Sequence, residues 1–255
     1  MIYMVKQTAI VCRVGRKRPI RDVILRKAPK DFTTYVEPFV GSGDIYYYMG
    51  LDPSVKAVIN DLDPMIAQSH KIIKSNPSIE NIQKYKMSLA EQQAFVNKSH
   101  SSPLDKLAKN LMLLCGTFGG YTGRGDNKLA KTVAVAEKMK KIPAIAEYMA
   151  NTTITQQDYK TVFKNHDSAG TFTYLDPPYE DSDKLYAKSA IDFEEMARLI
   201  KSAKGKVMLS INDSPNIREI FKGLNISKVS VRGGGATGTG NIGKKERAEL
   251  IITNY

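Results

Sequence analysis

Four consecutive residues, Asp176-Pro177-Pro178-Tyr179, place a carboxylate, two residues lacking a backbone N–H and an aromatic ring directly after the apolar run Phe172, Tyr174, Leu175. Proline cannot donate to a β-ladder and pushes the residue before it into extended geometry, so a strand that enters this tetrapeptide ends there. Its carbonyls are left without ladder donors. The Asp176 carboxylate, the free carbonyls of Asp176 and Pro177 and the face of Tyr179 then make an acceptor-rich, donor-poor slot with a stacking platform. Such a slot suits a planar ring carrying an exocyclic amine. A strand that merely stops at a proline turn would share Asp-Pro-Pro with this chain, but not the aromatic that follows.

A second set of residues could hold a nucleotide-like ligand. Glu37-Pro38-Phe39-Val40-Gly41-Ser42-Gly43-Asp44 lies between a β-rich run at 33–36 and a helical stretch at 45–49. Strand, glycine turn and helix in that order bind such ligands at the carboxyl end of the first strand of an α/β sheet. The pattern is too short for the dinucleotide fingerprint and lacks the Gly-Lys-Ser/Thr ending of a phosphate loop. Asp61 follows a second β-rich run at 56–60, about 20 residues after the glycines, where an acid holds a ribose hydroxyl pair. Asp63, just before Pro64, reads instead as a helix N-cap. The basic loop at 13–18 brings Gly15 and Lys17 to another strand-to-helix junction, where they could bind an anionic ligand group or simply touch phosphate; spacing does not choose between the two.

The elements that must position these groups alternate. Residues 7–12 read as a short strand, and Pro19 opens a helix with Ile20, Val23, Ile24 and Lys27 at helical spacing. Residues 76–150 turn helical, with pieces at 78–88, 89–98, 133–141 and 144–149 and a buried face in Leu104, Leu107, Leu111 and Leu114. Within that segment, positions 116–128 hold five glycines together with Phe118, Tyr121, Arg124 and Lys128, a loop able to stack and to touch phosphate or base edges. Strands follow at 152–155, ending near Asp158, and at 171–175. A helix capped by Asp192, with Glu195 three residues on, leads to a strand at 206–211. The last two strands, 226–231 and 248–253, are joined by a glycine-rich loop, which suggests an antiparallel pair on the sheet edge. Lys244 and Lys245 make that loop a second candidate DNA contact. The reading is an α/β fold with a mostly parallel sheet and a helical insertion.

Charge points to a partner. The chain of 255 residues has 38 Lys+Arg against 26 Asp+Glu, a net charge of +12, and polyanions are the natural partner of such a balance. Between Lys6 and Lys30 nine basic residues face one acid, Asp22. Cys12 and Cys115 sit among apolar neighbours and read as buried thiols of a reducing compartment rather than a disulfide. The three histidines are too dispersed for metal-ligand spacing, so no metal is expected. No apolar run approaches the ~20 residues that span a bilayer. The expectation is a soluble, cytoplasmic protein without a membrane partner.

Glu37-Pro38-Phe39-Val40-Gly41-Ser42-Gly43, then Asp61, then Asp176-Pro177-Pro178-Tyr179, with the helical segment before the last of these, resembles the Dam-type (D12 class, alpha group) DNA adenine-N6 methyltransferases. The resemblance spans nearly the whole chain and includes the final residues 249–255. It implies a doubly wound, mostly parallel seven-stranded sheet of the class I S-adenosylmethionine-dependent methyltransferases, with residues 1–75 and 151–255 as the catalytic domain and 76–150 as a helical target-recognition insertion. It implies S-adenosylmethionine as cofactor and double-stranded DNA as partner, and it allows a restriction endonuclease in the same system. Residue by residue, Lys17 matches the lysine that reaches the cofactor carboxylate; Arg13 stands four positions earlier, where the family often carries an aromatic. Glu37, Phe39, Gly41 and Gly43 match the loop under the cofactor, Asp61 the ribose acid, Asp158 the residue near the cofactor's adenine, and Asp176 to Tyr179 the catalytic tetrapeptide, with Asp176 at the cofactor boundary. An amino-methyltransferase acting on RNA or on cytosine N4 could use nearly the same tetrapeptide, and a catalytically silent DNA-binding relative would keep the charge.

Overall fold

A computed structural model describes residues 6–13, 15–117, 127–179, 191–231 and 247–255. Seven strands, β1 (Thr34–Glu37), β2 (Lys56–Asn60), β3 (Thr152–Thr155), β4 (Thr171–Leu175), β5 (Lys206–Asn212), β6 (Asn225–Val231) and β7 (Arg247–Thr253), form one sheet in the order β3-β2-β1-β4-β5-β7-β6. β1 to β5 run parallel, while β7 is antiparallel to both β5 and β6. The chain winds outward from β1 to β3, then returns to lay β4 on the other side of β1. Strand order therefore reverses between β1 and β4, and in open α/β sheets that reversal opens a crevice at the carboxyl ends of the strands.

Every residue of β4, Thr171 and Thr173 included, is buried, so the strand has no solvent-facing side. Alternate residues enter different cores. Tyr174, Met208 and Ile251 pack on one face with Tyr35, Ile59 and Leu111, whereas Leu175, Leu209 and Ile252 pack on the other with Met196, Ile200 and Ile217. Ten helices surround the sheet among the described residues: α1 (Arg21–Lys27), α2 (Asp44–Met49), α3 (Pro64–Lys74), α4 (Leu89–Val96), α5 (Pro103–Gly116), α6 (Val135–Met139), α7 (Ile142–Tyr148), α8 (Tyr159–His166), α9 (Phe193–Ser202) and α10 (Pro215–Ile220). The expected caps form: Asp63 accepts from Met65 N–H and Asp192 from Glu195 N–H. Helices α4 to α7 lie between β2 and β3 in the chain, and Leu107, Leu111 and Leu114 of α5 share the core of Tyr35 and Ile59.

Three expectations are corrected. Residues 7–12 form no strand: Ala9, Ile10 and Val11 are buried, but the carbonyls of Ile10 and Val11 are taken by the side chains of Lys138 and Arg16, not by a ladder. Within 78–88 only a 3-10 turn forms, Ile82–Tyr85, because Ser88 and Glu91 build a capping box that starts α4 afresh. Cys12 and Cys115 are joined in a disulfide, their Cα atoms 5.1 Å apart across 103 residues of chain. Burial of the segment at 9–11 against α5 brings them together, and nothing in their spacing shows that.

Candidate active site

The two motifs meet at the reversal point. β1 and β4 are paired in register from Thr34 and Thr171 to Val36 and Thr173, so the turn at 38–43 and the tetrapeptide at 176–179 leave the same edge of the sheet side by side. Asn60, 1% exposed, stitches this edge: its Nδ2 donates to the carbonyls of Pro38 (2.9 Å) and Gln157 (3.0 Å), and its Oδ1 accepts from Gln157 N–H (2.8 Å) and the Thr155 hydroxyl (2.7 Å). The tips of β1, β2 and β3 are thereby held at fixed spacing.

Lys17, 2% exposed, points its ammonium at the tetrapeptide. It lies 2.7 Å from Asp176 Oδ1, 2.9 Å from the Tyr179 hydroxyl, 3.2 Å from the Gly15 carbonyl and 3.9 Å from Glu249 Oε2. Burial works against the charge on Lys17, but Asp176, Tyr179 and Glu249 outweigh it and hold the lysine protonated well above its usual range. Ser210 adds a weaker donor to Asp176 Oδ1 at 3.4 Å, and the Tyr174 hydroxyl is 2.7 Å from Ser210 Oγ. Burial lifts the Asp176 carboxyl above its ordinary value, against the pull of Lys17 and with the push of Glu249. Among the described residues, neither Asp176 Oδ2 nor the Pro177 carbonyl receives a hydrogen bond. Two acceptors one residue apart thus remain available among the described residues.

The neighbouring turn is built for close approach. Gly41 and Gly43 sit at φ +48° and +75°, and a Cβ on Gly43 would meet the Tyr47 ring at 2.6 Å. Gly41 N–H donates to Asp61 Oδ2 (2.8 Å), and Asp63 N–H to Asp61 Oδ1 (2.9 Å). Burial pushes Asp61 up to about 6 despite these donors. Behind the turn, buried His70 is pushed down to about 4 and is neutral at pH 7. Its Nε2–H donates to the Gly41 carbonyl at 3.0 Å, which leaves Nδ1 to accept from the Tyr47 hydroxyl at 3.0 Å.

A family model described as D12 class N6 adenine-specific DNA methyltransferase matches residues 14–232. The chain belongs to that family. It is similar to the type II methyltransferase M1.LlaDCHI of Lactococcus lactis subsp. cremoris, 27% identical over 274 residues that cover 94% of this chain and 93% of that protein. The type II methyltransferase M.CviBI of Paramecium bursaria Chlorella virus NC1A is 23% identical over 239 residues, covering 89% of this chain and 92% of that one. Among solved structures, the precorrin-6y C5,15-methyltransferase of Geobacter metallireducens GS-15 aligns over 96% of this chain and 94% of its own at 11% identity, with a TM-score of 0.48. The sheet of this D12-class chain is the class I S-adenosylmethionine-dependent arrangement, and S-adenosylmethionine is its cofactor.

The residues present fit that cofactor. An acceptor at the β2 tip, ionised at pH 7 and tied through Gly41 N–H to the turn at the β1 tip, matches a ribose diol. Other expected residues are placed differently. Glu37, 2% exposed, turns inward and accepts from the Tyr35 hydroxyl at 2.6 Å. Arg13 pairs with Asp63 at 3.0 Å and lies over Gly41. Phe39 packs on Tyr159, ring centroids 5.2 Å apart, and borders the same core as Tyr179. Asp158 is exposed and caps α8 through Lys160 N–H at 2.9 Å. Lys128 is exposed, while Phe118, Tyr121, Arg124, Lys244 and Lys245 lie outside the described residues. Sequence reasoning missed Glu249 and Ser210. Each has apolar neighbours on both sides within its strand, Leu209 and Ile211 about Ser210 and Ala248 and Leu250 about Glu249, and that interruption is the signal that could have found them.

Proposed function

We propose that this chain is a site-specific DNA methyltransferase that modifies N6 of an adenine extruded from duplex DNA, with Asp176, Pro177 and Tyr179 as the groups that touch the base. The observation that carries this reading is a pair of acceptors, Asp176 Oδ2 and the Pro177 carbonyl, that receive no hydrogen bond among the described residues and match the two N–H bonds of an adenine amine. S-adenosylmethionine, when bound, supplies an electrophilic methyl group. Adenine N6 is a weak nucleophile because its lone pair is delocalised into the ring. Accepting both protons at Asp176 Oδ2 and Pro177 O draws the nitrogen toward tetrahedral geometry and localises that lone pair. As charge develops on N6, the Asp176 carboxylate stabilises it and takes up the leaving proton. Pro178 stiffens the turn, and stacking on Tyr179 holds the extruded ring, an interaction of roughly 1–3 kcal/mol.

Lys17 and Ser210 anchor Oδ1 and so aim Oδ2, which makes Lys17 a positioning residue for catalysis in this reading. Asp61 holds the ribose, and the turn at Phe39, Gly41 and Gly43 supports the rest of the cofactor; Arg13, Glu37 and Asp158 border it. The helices between β2 and β3, with Phe118, Tyr121, Arg124 and Lys128, carry target recognition, supported by Lys244 and Lys245. The names of the type II relatives favour a restriction endonuclease partner.

Replacing Asp176 by alanine tests the assignment. Transfer of labelled methyl to duplex DNA should fall by at least about 10²–10³-fold, with cofactor binding by calorimetry retained. Activity within tenfold of wild type would remove Asp176 from the chemistry.

A further inference from the structure

Lys17 is flanked by Arg16 and Arg18, and neither is used by the reaction above. Arg16 donates to the Val11 carbonyl, and Arg18 Nε reaches Asp44 Oδ1 at 3.5 Å. From α6, Lys138 comes to the same segment and donates to the Ile10 carbonyl at 2.9 Å. Arg16 and Lys138 therefore set their charges on consecutive carbonyls. Lys131 stands close by, because its N–H and that of Ala130 both donate to the Gly116 carbonyl at the end of α5, one residue from the Cys115 that is bridged to Cys12. Lys141 leads into α7 one short turn beyond Lys138.

Within this group of five cations, Asp44 is the single carboxylate engaged among the described residues; the nearby Glu137 is taken by Lys140 at 2.9 Å. Lys131 and Lys141 are exposed and meet no carboxylate among the described residues. Arg16 Nε is enclosed without an acceptor among the described residues. Burial, followed by the fields of Arg16, Lys141, Arg18 and Lys131, brings Lys138 down to about 8, which is the behaviour of a cation surrounded by its own kind. Clustered like charge opposes the compact state unless a counter-charge offsets it. The cluster starts one residue from Lys17, beside the base-holding slot, and reaches the Gly116 carbonyl at the end of α5.

We propose that Arg16, Arg18, Lys131, Lys138 and Lys141 form a seat for DNA backbone phosphates next to the extruded adenine. The proposal rests on the reading of Asp176 as the site of methyl transfer, since that places the duplex at this edge of the sheet. Duplex DNA carries one negative charge per roughly 1.7 Å of axis, so a strand entering here would neutralise several of these cations at once.

The test uses the full chain and a fluorescein-labelled mixed-sequence DNA duplex, with binding followed by anisotropy from 50 to 200 mM salt. Lys131 and Lys141 are chosen because their exposed side chains make no bond that folding needs. In the double variant Lys131→Gln/Lys141→Gln, the dependence of log affinity on log salt should be shallower by about 1.8, at ~0.9 per phosphate contact. The advantage of wild type over the variant then shrinks by about twelvefold across that range, from the same slope. Lys131→Arg/Lys141→Arg should restore the wild-type slope, and cofactor binding by calorimetry should be unchanged in both. An unchanged slope in the Gln variant would overturn the proposal, as would tighter wild-type binding to a hairpin RNA than to the duplex with the same loss in the variant. Asp176→Ala separates this from the catalytic reading: it should abolish transfer and keep the wild-type salt slope, so either result can fail without the other.

Discussion

Asp61 and Asp176 are two carboxylates in equivalent places, each one residue past the end of a parallel strand and each raised by burial, yet they are held in opposite ways. Asp61 has both oxygens engaged by peptide N–H groups of Gly41 and Asp63. Asp176 has one oxygen held by an ammonium and a hydroxyl, and the other receives no hydrogen bond among the described residues. Peptide donors belong to the fold and stay where the chain puts them, so Asp61 is a fixed acceptor suited to binding. A cation on one oxygen favours the ionised form of a buried carboxylate while leaving its partner oxygen for a substrate, which suits Asp176 to chemistry.

The contrast breaks most completely if Lys17 is replaced by methionine. Asp176 then loses its counter-charge, burial favours the protonated acid, and methyl transfer should drop by about 10²–10³-fold. Raising the pH should recover part of the loss. Comparing kcat at pH 7.5 and pH 9 checks this, and equal deficits at both would show that Lys17 does not act through ionisation of Asp176. Asp61→Ala should separate the two acids the other way. Removing a charged acceptor costs about 1.5–3 kcal/mol, or roughly 10–150-fold in cofactor affinity, with kcat at saturating cofactor nearly unchanged. A fall in kcat without a change in KM would merge the two roles.

A pH series sharpens the same point. Asp61 titrates at about 6, and a protonated carboxyl no longer serves as an anionic acceptor. Cofactor affinity should therefore weaken as pH falls below about 6, approaching tenfold per unit; calorimetry should show the dependence in wild type and none in Asp61→Asn. The smallest effect is expected at Glu249. Its charge pushes Asp176 upward, so Glu249→Gln should move the acid limb of the kcat profile to lower pH with at most a few-fold change in the plateau. A limb that moves to higher pH would mean that Glu249 acts chiefly through its hold on Lys17.

Much of this was legible beforehand, and for identifiable reasons. β1, β2, β4 and β5 are short apolar runs, each ending at a turn signal or an acid, and α3 and α9 announce themselves through Asp63-Pro64 and through Asp192 with Glu195. The antiparallel end strands follow from the long loop between them. α8 and α10 went unread because they are short and their apolar positions are few: Tyr159, Val162 and Phe163 in one, Ile217 in the other. The segment at 7–12 has the composition of a strand and lacks a partner, and composition cannot reveal that its carbonyls are claimed by Arg16 and Lys138.

By itself the sequence determined which groups could do chemistry and the order in which the sheet would present them, because prolines, glycines and capping residues act on the backbone within a few positions of themselves. It determined a carboxylate at the tip of β4, a glycine turn after β1 and an acid after β2. Only the tertiary structure decided what holds each acid, that Lys17 pairs with Asp176, that Glu249 faces them from β7 and that Cys12 meets Cys115. The Lys17–Asp176, Lys17–Glu249 and Cys12–Cys115 contacts join residues 103 or more positions apart. Ionisation and aim depend on such neighbours in space, and strand order with register, rather than local sequence, sets which neighbours they are.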